Sequence, residues 1–211
     1  MQKLTFVIGA NAAGKTYFIE HHLASEKAVV LNIYDYQQKV YDEHGNKELI
    51  TFEEQFRCLK KANEKHLHDI INELKQGNDV IAEQTFFKAK RRIAYIDEIR
   101  KEMDVKIEVY VMYPSNERWI ENSKKREDIE NIEVYEEQKK QMEFPNPAEG
   151  FDAIFEVVDD EIILRMDDIK SEIVKQARQE LTEEDTWIRR EDEREHKHRQ
   201  LIESMNTRPF W

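Results

Sequence analysis

An apolar segment, a glycine-rich turn and an amphipathic segment follow one another at the start of this chain, in an order that few folds accommodate. The turn is Gly9–Thr16, and its sequence GANAAGKT fits the pattern G-x-x-x-x-G-K-[ST]. Leu4–Ile8 before it is rich in β-forming residues, as a buried strand is, and Tyr17–Leu23 after it has apolar residues at helical spacing. This order directs backbone N–H groups and a helix N-terminus at one point, which suits a polyphosphate.

Individual residues of the turn have distinct tasks in such a site. Lys15 is expected to reach the β- and γ-phosphates, and the hydroxyl of Thr16 is expected to bind Mg²⁺. The predicted phosphate-binding residues of the turn are Gly9, Asn11, Ala12, Ala13, Gly14, Lys15 and Thr16. The sequence therefore predicts a nucleoside triphosphate and Mg²⁺ as ligands.

Composition limits the class of protein. A chain of 211 residues fits one domain with a substantial core, and no stretch approaches the roughly eighteen consecutive apolar residues of a membrane span. Cys58 is the only cysteine, which excludes an intramolecular disulfide and makes a cytoplasmic location the expectation. The net charge of −12 argues against long duplex nucleic acid as a partner, but not against one nucleic-acid end in a small basic cleft.

Strand-like and helix-like segments alternate over the first 160 residues. Four apolar segments after the first strand predict further strands at Ala28–Ile33, Asp79–Ala82, Lys106–Met112 and Ala153–Val158. Helical patterns separate them, with two helices between Ser115 and Met142 that break near residues 126–131. Parallel strands need crossovers, so the pattern predicts an α/β three-layer sandwich with a five-stranded parallel sheet and a helical lid.

Residues 161–211 differ in character from the rest. The segment from Asp167 to about Met205 is densely charged and predicts two helices, with Thr182–Asp185 as the capping box of the second. The apolar end Pro209-Phe210-Trp211 is interpreted as a tail that docks on its own domain, with a dimer contact as the alternative. We therefore predict a domain at residues 1–160 and a charged helical extension at residues 161–211.

Acidic residues follow two of the predicted strands. Ligands bind beyond the carboxyl ends of the strands in an open parallel sheet, where Asp35 follows the second strand and Glu83 and Thr85 follow the third. One carboxylate is expected to take a proton from an attacking hydroxyl and the other to hold Mg²⁺ through water. We assign the base to Asp35 and the metal contact to Glu83, while the residue types leave the reverse assignment open. Alternatively, Asp35 caps a helix and Glu83 is a solvated loop residue.

Two basic segments are candidates for contacting anions. The first precedes the break between the two lid helices, where Lys125 or Arg126 is predicted to cover the γ-phosphate; an ordinary charged surface is the alternative. The second opens a helix, where cations oppose the helix dipole and suggest a compensating anionic ligand. Its members are Lys88, Lys90, Arg91 and Arg92.

With these segments laid out, residues 1–160 resemble the small P-loop kinases grouped around phage polynucleotide kinase, seryl-tRNA kinase and the zeta toxins. The phosphate loop, with its asparagine and small residues, is similar to that of zeta toxins, and Glu83-Gln84-Thr85 is similar to their E-x-T. Asn32–Gln38 is similar to the segment in which polynucleotide kinases carry a general-base aspartate followed by an arginine. Here Asp35 is present, whereas a glutamine occupies the arginine position.

Later segments carry the same resemblance. Lys90-Arg91-Arg92 is similar to a helix of polynucleotide kinases, and Asn122–Arg126 resembles the start of the lid, with Glu121 in place of an arginine. Glu149–Ile154, with the sequence EGFDAI, matches a closing segment shared by polynucleotide kinase and seryl-tRNA kinase relatives. No family counterpart is identified for residues 161–211.

The resemblance implies a P-loop NTPase fold that uses ATP and Mg²⁺ for phosphoryl transfer to a hydroxyl. The residues assigned to the acceptor are Asp35, Thr85, Arg91 and Arg92. A polynucleotide 5′-hydroxyl is the predicted acceptor, and the hydroxyl of a nucleotide sugar, as in zeta toxins, is the alternative. A hypothesis from another class is a nucleotide-binding regulatory module whose C-terminal helices contact a protein partner.

Overall fold

The computed structural model describes residues 2–23, 27–44, 51–126, 131–167, 173–176 and 178–179. Six strands form one sheet: β1 (Lys3–Gly9), β2 (Ala28–Asn32), β3 (Asp79–Gln84), β4 (Lys106–Met112), β5 (Ala153–Val158) and β6 (Glu161–Met166). Their order is β2-β3-β1-β4-β5-β6. The first five strands are parallel and β6 is antiparallel to β5. The predicted α/β class is confirmed.

Helices connect the strands and cover both faces of the sheet. They are α1 (Lys15–Phe18), α2 (Ile33–His44), α3 (Phe52–Lys75), α4 (Ala89–Glu102), α5 (Asn116–Lys124) and α6 (Ile132–Gln141). A π-helical turn at Ile19–Leu23 continues α1, and a 3-10 turn at Pro147–Glu149 precedes β5. In the described part of the chain, every helix is too short or too polar to cross a bilayer.

The central strand β1 contributes to two apolar layers because its side chains alternate between the faces of the sheet. Leu4, Phe6 and Ile8 pack in one layer with residues of α3 and α4. Val7 packs in the other layer with residues of α1, α5 and α6, among them Trp119. Burial on both faces explains the continuous apolar run that the sequence shows before the phosphate loop.

The sixth strand extends the predicted five-stranded sheet. Asp159 and Asp160 join β5 to β6 as a two-residue turn, with φ values of 47° and 75°, and both carry the positive φ that such hairpin turns require. Glu161–Met166 belongs to the sheet, although the sequence analysis assigned it to a helical extension. The signal was an apolar residue at every second position, Ile162, Leu164 and Met166.

The domain division at residue 160 stays a prediction, although the sheet itself continues to residue 166. Within the predicted extension, residues 173–176 and 178–179 are helical. The proposed capping box at Thr182–Asp185, the second C-terminal helix and the apolar end Pro209-Phe210-Trp211 lie outside the described residues.

His66 of α3 is fully buried and links β2 to β3. Its Nε2 lies 3.1 Å from the carbonyl oxygen of Leu31, and its Nδ1 lies 2.8 Å from Nε2 of Gln84. The proton therefore belongs on Nε2, which donates to Leu31, while Nδ1 accepts from Gln84. Burial lowers the pKa of His66 from 6.5 to about 4, so the imidazole is neutral.

Acid is expected to destabilise the protein through His66. Its pKa is lower in the folded than in the unfolded chain, so the folded state binds fewer protons between about pH 6.5 and pH 4. The free energy of unfolding therefore falls as the pH drops through this window, by about 3 kcal/mol in total. In urea unfolding measured from neutral pH to pH 4, the free energy of unfolding of His66→Gln should fall less steeply with pH than that of the native protein. His68→Gln, on the exposed side of the same helix, should not, and equal slopes for native protein and His66→Gln would contradict the assignment.

Candidate active site

A cavity of about 850 Å³ opens at the carboxyl ends of the parallel strands. Its walls come from the phosphate loop after β1, the ends of β2 and β3, the lid helix α5 and the turn between β5 and β6. In this topology β2 and β3 lie on one side of β1, and the chain then crosses to the other side to form β4 and β5. Ligands bind at such a switch point in open α/β sheets, as the sequence analysis expected.

The phosphate loop depends on a glycine at its start. Gly9 has a φ of 152°, and a Cβ atom there would lie 2.8 Å from the carbonyl oxygen of Met112. Only glycine therefore lets the loop leave β1 this close to β4. Lys15 lies inside the loop and is 5% exposed, with its Nζ donating to the carbonyls of Gly9 (3.1 Å) and Ala10 (2.8 Å). The predicted phosphate-binding amine is thus already positioned within the loop.

Glu83 lies in the cavity wall beside the loop and is not a solvated loop residue. Its Oε1 accepts a hydrogen bond of 2.9 Å from the Thr16 hydroxyl, and its Oε2 accepts one of 3.0 Å from the Asn32 amide. Burial raises the pKa of Glu83, and the nearby Lys15 ammonium opposes that shift. A hydroxyl and a carboxylate in contact are hard oxygen ligands of the kind that Mg²⁺ accepts.

These donors suit a metal that is shared with a bound phosphate. Among the described residues, no group of three or more His, Cys, Asp or Glu side chains could hold a metal ion alone. Mg²⁺ is commonly bound by one or two carboxylates together with substrate phosphates and water. Thr16 and Glu83 fit this arrangement, in which Mg²⁺ would neutralise phosphate charge.

Asp35 is exposed in the first turn of α2 and does not line the cavity. Its neighbour Tyr34 does, and the Tyr34 hydroxyl donates to the side chain of Asn11 in the phosphate loop. The cap of α2 comes from Asn32, whose Oδ1 accepts from the backbone N–H of Tyr34 at 2.9 Å. Asn32 and Tyr34 line the cavity and were not among the candidate residues predicted from the sequence. A polar residue directly at a strand end was the available signal.

The lid helices are fixed to the phosphate loop through the backbone of Asn11. The Trp119 indole donates to the Asn11 carbonyl (2.7 Å), and the Asn11 N–H donates to the Gln138 side chain (3.1 Å). Trp119 also stacks on Tyr135, with ring centroids 4.8 Å apart, and this joins α5 to α6. The predicted lid cations Lys125 and Arg126 are exposed and line the cavity.

Arg92 requires a correction, because it is 1% exposed and cannot reach an external ligand. Its Nε and one Nη bind the carboxylate of Glu149 at 2.5 Å and 2.8 Å. Further donors bind the carbonyls of Phe86 (2.6 Å) and Glu143 (2.7 Å). Arg92 therefore ties the start of α4 to the segment before β5, and the substrate role assigned to it is replaced by a structural one.

The remaining cations of the same segment divide between internal contacts and solvent. Lys88 pairs with Glu143 at 2.9 Å, and the other oxygen of Glu143 accepts from the N–H of Ala89. The anion that compensates the start of α4 is thus supplied by the protein itself. Lys90 and Arg91 are exposed, and Thr85 is half-buried. Arg91 and Thr85 both lie outside the cavity wall.

Comparison with known proteins supports this fold. A kinase by provisional assignment from Chloroflexus aurantiacus j-10-fl matches with a TM-score of 0.59 and 18% identity, over 86% of this chain and 97% of that chain. A chain of the Pnkp1/Rnl/Hen1 RNA repair complex matches with a TM-score of 0.50 and 16% identity, over 67% of this chain and 44% of that chain. No curated protein matches significantly. At these identities, the likeness shows the fold alone.

The sequence also matches a protein family described as "AAA domain", over residues 4–145. The match includes the phosphate loop, Glu83 and the first lid helix, which together build most of the cavity described above. Because it spans more than half of the chain, the protein belongs to this AAA domain family and has a P-loop kinase-like fold.

Proposed function

We propose that the protein is an ATP-dependent phosphotransferase that moves the γ-phosphate to a hydroxyl acceptor. The observation that carries the proposal is the 2.9 Å contact between Thr16 and Glu83, beside the buried amine of Lys15. It joins a metal-binding hydroxyl, a carboxylate and a phosphate-binding cation in one corner of the cavity. Lys125 and Arg126 supply cations from the lid, as phosphoryl transfer requires.

We further propose that the acceptor approaches from the side of α2, with Asp35 as its general base and Glu83 on the metal. Asp35 is close enough for its charge to raise the pKa of Glu83, although burial is the larger cause. An exposed carboxylate near Glu83 can accept a proton from an incoming hydroxyl. The carboxylate of Glu83 is held by Thr16 and Asn32, and this favours metal binding rather than proton transfer as its role.

The acceptor that we propose first is a short polynucleotide end with a free 5′-hydroxyl. Its support is the exposed pair Lys90 and Arg91 at the start of α4, next to the strand that carries Glu83. On a chain with a net charge of −12, two phosphate contacts should make the affinity depend only weakly on salt concentration. The slope of log affinity against log salt should be about one to two.

A nucleotide sugar is the second candidate acceptor. It is favoured by the internal pairing of Lys88 with Glu143 and of Arg92 with Glu149, because both cations are thereby withdrawn from a phosphodiester. A screen for transfer of labelled γ-phosphate to oligonucleotides, tRNA, nucleosides and nucleotide sugars separates the candidates. Labelled oligonucleotide supports the first acceptor, and a labelled nucleotide sugar with inert oligonucleotides supports the second. ATP binding without any transfer would overturn the kinase assignment.

The division of roles between the two carboxylates leads to a direct prediction. Asp35→Asn should retain ATP binding and lose about 10²-fold or more in transfer, because the amide cannot accept the proton. Glu83→Gln should instead raise the Mg²⁺ concentration needed for half-maximal transfer. Equilibrium ATP binding and Mg²⁺ titrations of the transfer rate distinguish the two effects. If Asp35→Asn transfers at the native rate, the base is Glu83 and the assignment is reversed.

A further inference from the structure

Strand β6 lies at the edge of the sheet and presents apolar side chains to solvent. It ends the strand order, and in the described part of the chain no strand pairs with its outer side. Ile162 and Leu164 are 45% and 53% exposed. The backbone N–H and C=O groups of an apolar edge strand pair readily with another strand. This edge is therefore a candidate for pairing with another chain.

The exposed residues of β6 continue an apolar layer of the sheet. Leu164 lies opposite Phe155 of β5, which stacks on Tyr110 of β4 with ring centroids 4.5 Å apart. Ile162 lies opposite Val157, which is buried. A strand added outside β6 with apolar residues at the matching positions would extend both rows across the edge.

The sequence of β6 is complementary to itself when two copies run antiparallel. A two-fold axis at Ile163 places Ile162 opposite Leu164 of the second copy. The same axis places Glu161 opposite Arg165 of the second copy. Both exposed apolar residues are then covered, and opposite charges meet at each end of the contact. A shift by one residue would move the apolar side chains to the wrong face of the sheet.

The charged residues of β6 favour this register over its neighbour. With the axis at Leu164, Glu161 would lie opposite Asp167 of the second copy, and the two like charges would repel. Arg165 lies at a bulge of β6, where its Nε donates to Glu156 at 2.6 Å and its side chain stays half exposed. A guanidinium has five N–H donors, so it can bind a second carboxylate from Glu161 of the second copy.

We propose that the protein forms a two-fold symmetric dimer in which β6 pairs antiparallel with β6 of a second copy. The same surface of each copy takes part, as in the isologous interfaces of most homodimers. Pairing joins the two six-stranded sheets into one continuous sheet. A contact of two short strands is small, so the dimer is weak and depends on protein concentration. The inference concerns the edge of the sheet and does not rest on the proposed function.

Sedimentation velocity of the full chain, from about 1 μM to about 1 mM protein, measures the association. The native protein should change from monomer to dimer as the concentration rises. Glu161→Lys places a like charge opposite Arg165 at both ends of the contact, so the dissociation constant of the dimer should rise about tenfold or more. Glu53→Lys makes the same change at an exposed position of α3 and is the matched control, which should dimerise as the native protein does.

Cysteine crosslinking tests the register. Ile163 is the residue that lies opposite itself across the axis, with Cα atoms about 5 Å apart, a separation that a disulfide can span. Ile163→Cys should therefore form an intermolecular disulfide under mild oxidation. Leu164→Cys, whose two copies are diagonal neighbours about 7–8 Å apart, should crosslink about tenfold more slowly or less. Cys58 is buried and should contribute little background in either variant.

Three results would overturn the inference. A native protein that stays monomeric over the whole concentration range would exclude the dimer, and this measurement does not depend on the folding of any variant. A native dimer that Glu161→Lys leaves unchanged would place the contact elsewhere on the molecule. Crosslinking of Leu164→Cys as fast as that of Ile163→Cys would exclude the register. None of these readouts uses ATP, so they are separate from the transfer assays on which the kinase proposal depends.

Discussion

Replacing Lys15 with alanine is expected to lower phosphoryl transfer by about 10²–10³-fold, the effect typical of removing one preorganised donor from a developing charge. The amine already lies in the phosphate loop, where it donates to the carbonyls of Gly9 and Ala10. A bound polyphosphate offers it a stronger, charged partner. Transfer of labelled γ-phosphate to the acceptor identified in the screen measures the effect.

The fold should survive Lys15→Ala because Lys15 lines the open cavity, so water can occupy the space that its side chain leaves and bind the two carbonyls. Near-UV circular dichroism and urea unfolding check this point. Lys60→Ala, which removes an exposed lysine from α3, is the control for loss of one positive charge and should transfer at the native rate. Full activity of Lys15→Ala on every tested acceptor would show that the phosphate loop does not serve catalysis.

Breaking the ion pair between Arg92 and Glu149 should be the most destabilising single change among those considered. Both side chains are nearly inaccessible, at 1% and 0% exposure. Arg92→Ala leaves the Glu149 carboxylate buried without its counter-ion, and a loss of about 3–5 kcal/mol in the free energy of unfolding is expected. Phe86, with a φ of 43°, would also lose the donor that holds its carbonyl. Urea unfolding at neutral pH gives the value.

The neighbouring residue provides a matched control. Arg91→Ala removes the same side chain from an exposed position of the same helix, so its effect should stay within about 0.5 kcal/mol. The double variant Arg92→Met/Glu149→Gln removes both charges and should be more stable than Arg92→Met alone. If Arg92→Ala and Arg91→Ala unfold at the same urea concentration, the buried pair does not stabilise the fold.

Local sequence was enough to predict the fold class and the phosphate loop. The loop pattern lies between a buried strand and a helix, and these three elements are adjacent in the chain. Strand periodicity likewise predicted the parallel strands, because burial on both faces leaves a continuous apolar run. Glu83, whose carboxylate accepts the hydrogen bond from Thr16, was predicted as a candidate site residue from its position at the end of the third strand.

Side chains that share a residue type but differ in burial could not be separated in this way. Arg91 and Arg92 are adjacent, yet one is exposed and the other is sealed against Glu149, which lies 57 positions away. Tyr34 lines the cavity and its neighbour Asp35 does not, because the direction of each side chain depends on how α2 packs on α3. Such long-range partners are invisible to spacing within one segment.

The sequence by itself therefore determined the phosphate loop and the alternating α/β architecture, because both follow from interactions between residues close in the chain. Tertiary structure alone decided how the other charged residues are buried and paired. It placed Asp159 and Asp160 beside Arg118 and enclosed Arg92 with Glu149. The physical reason is that burial and ion pairing depend on the packing of distant segments, and a buried charge is stable only where that packing brings its partner.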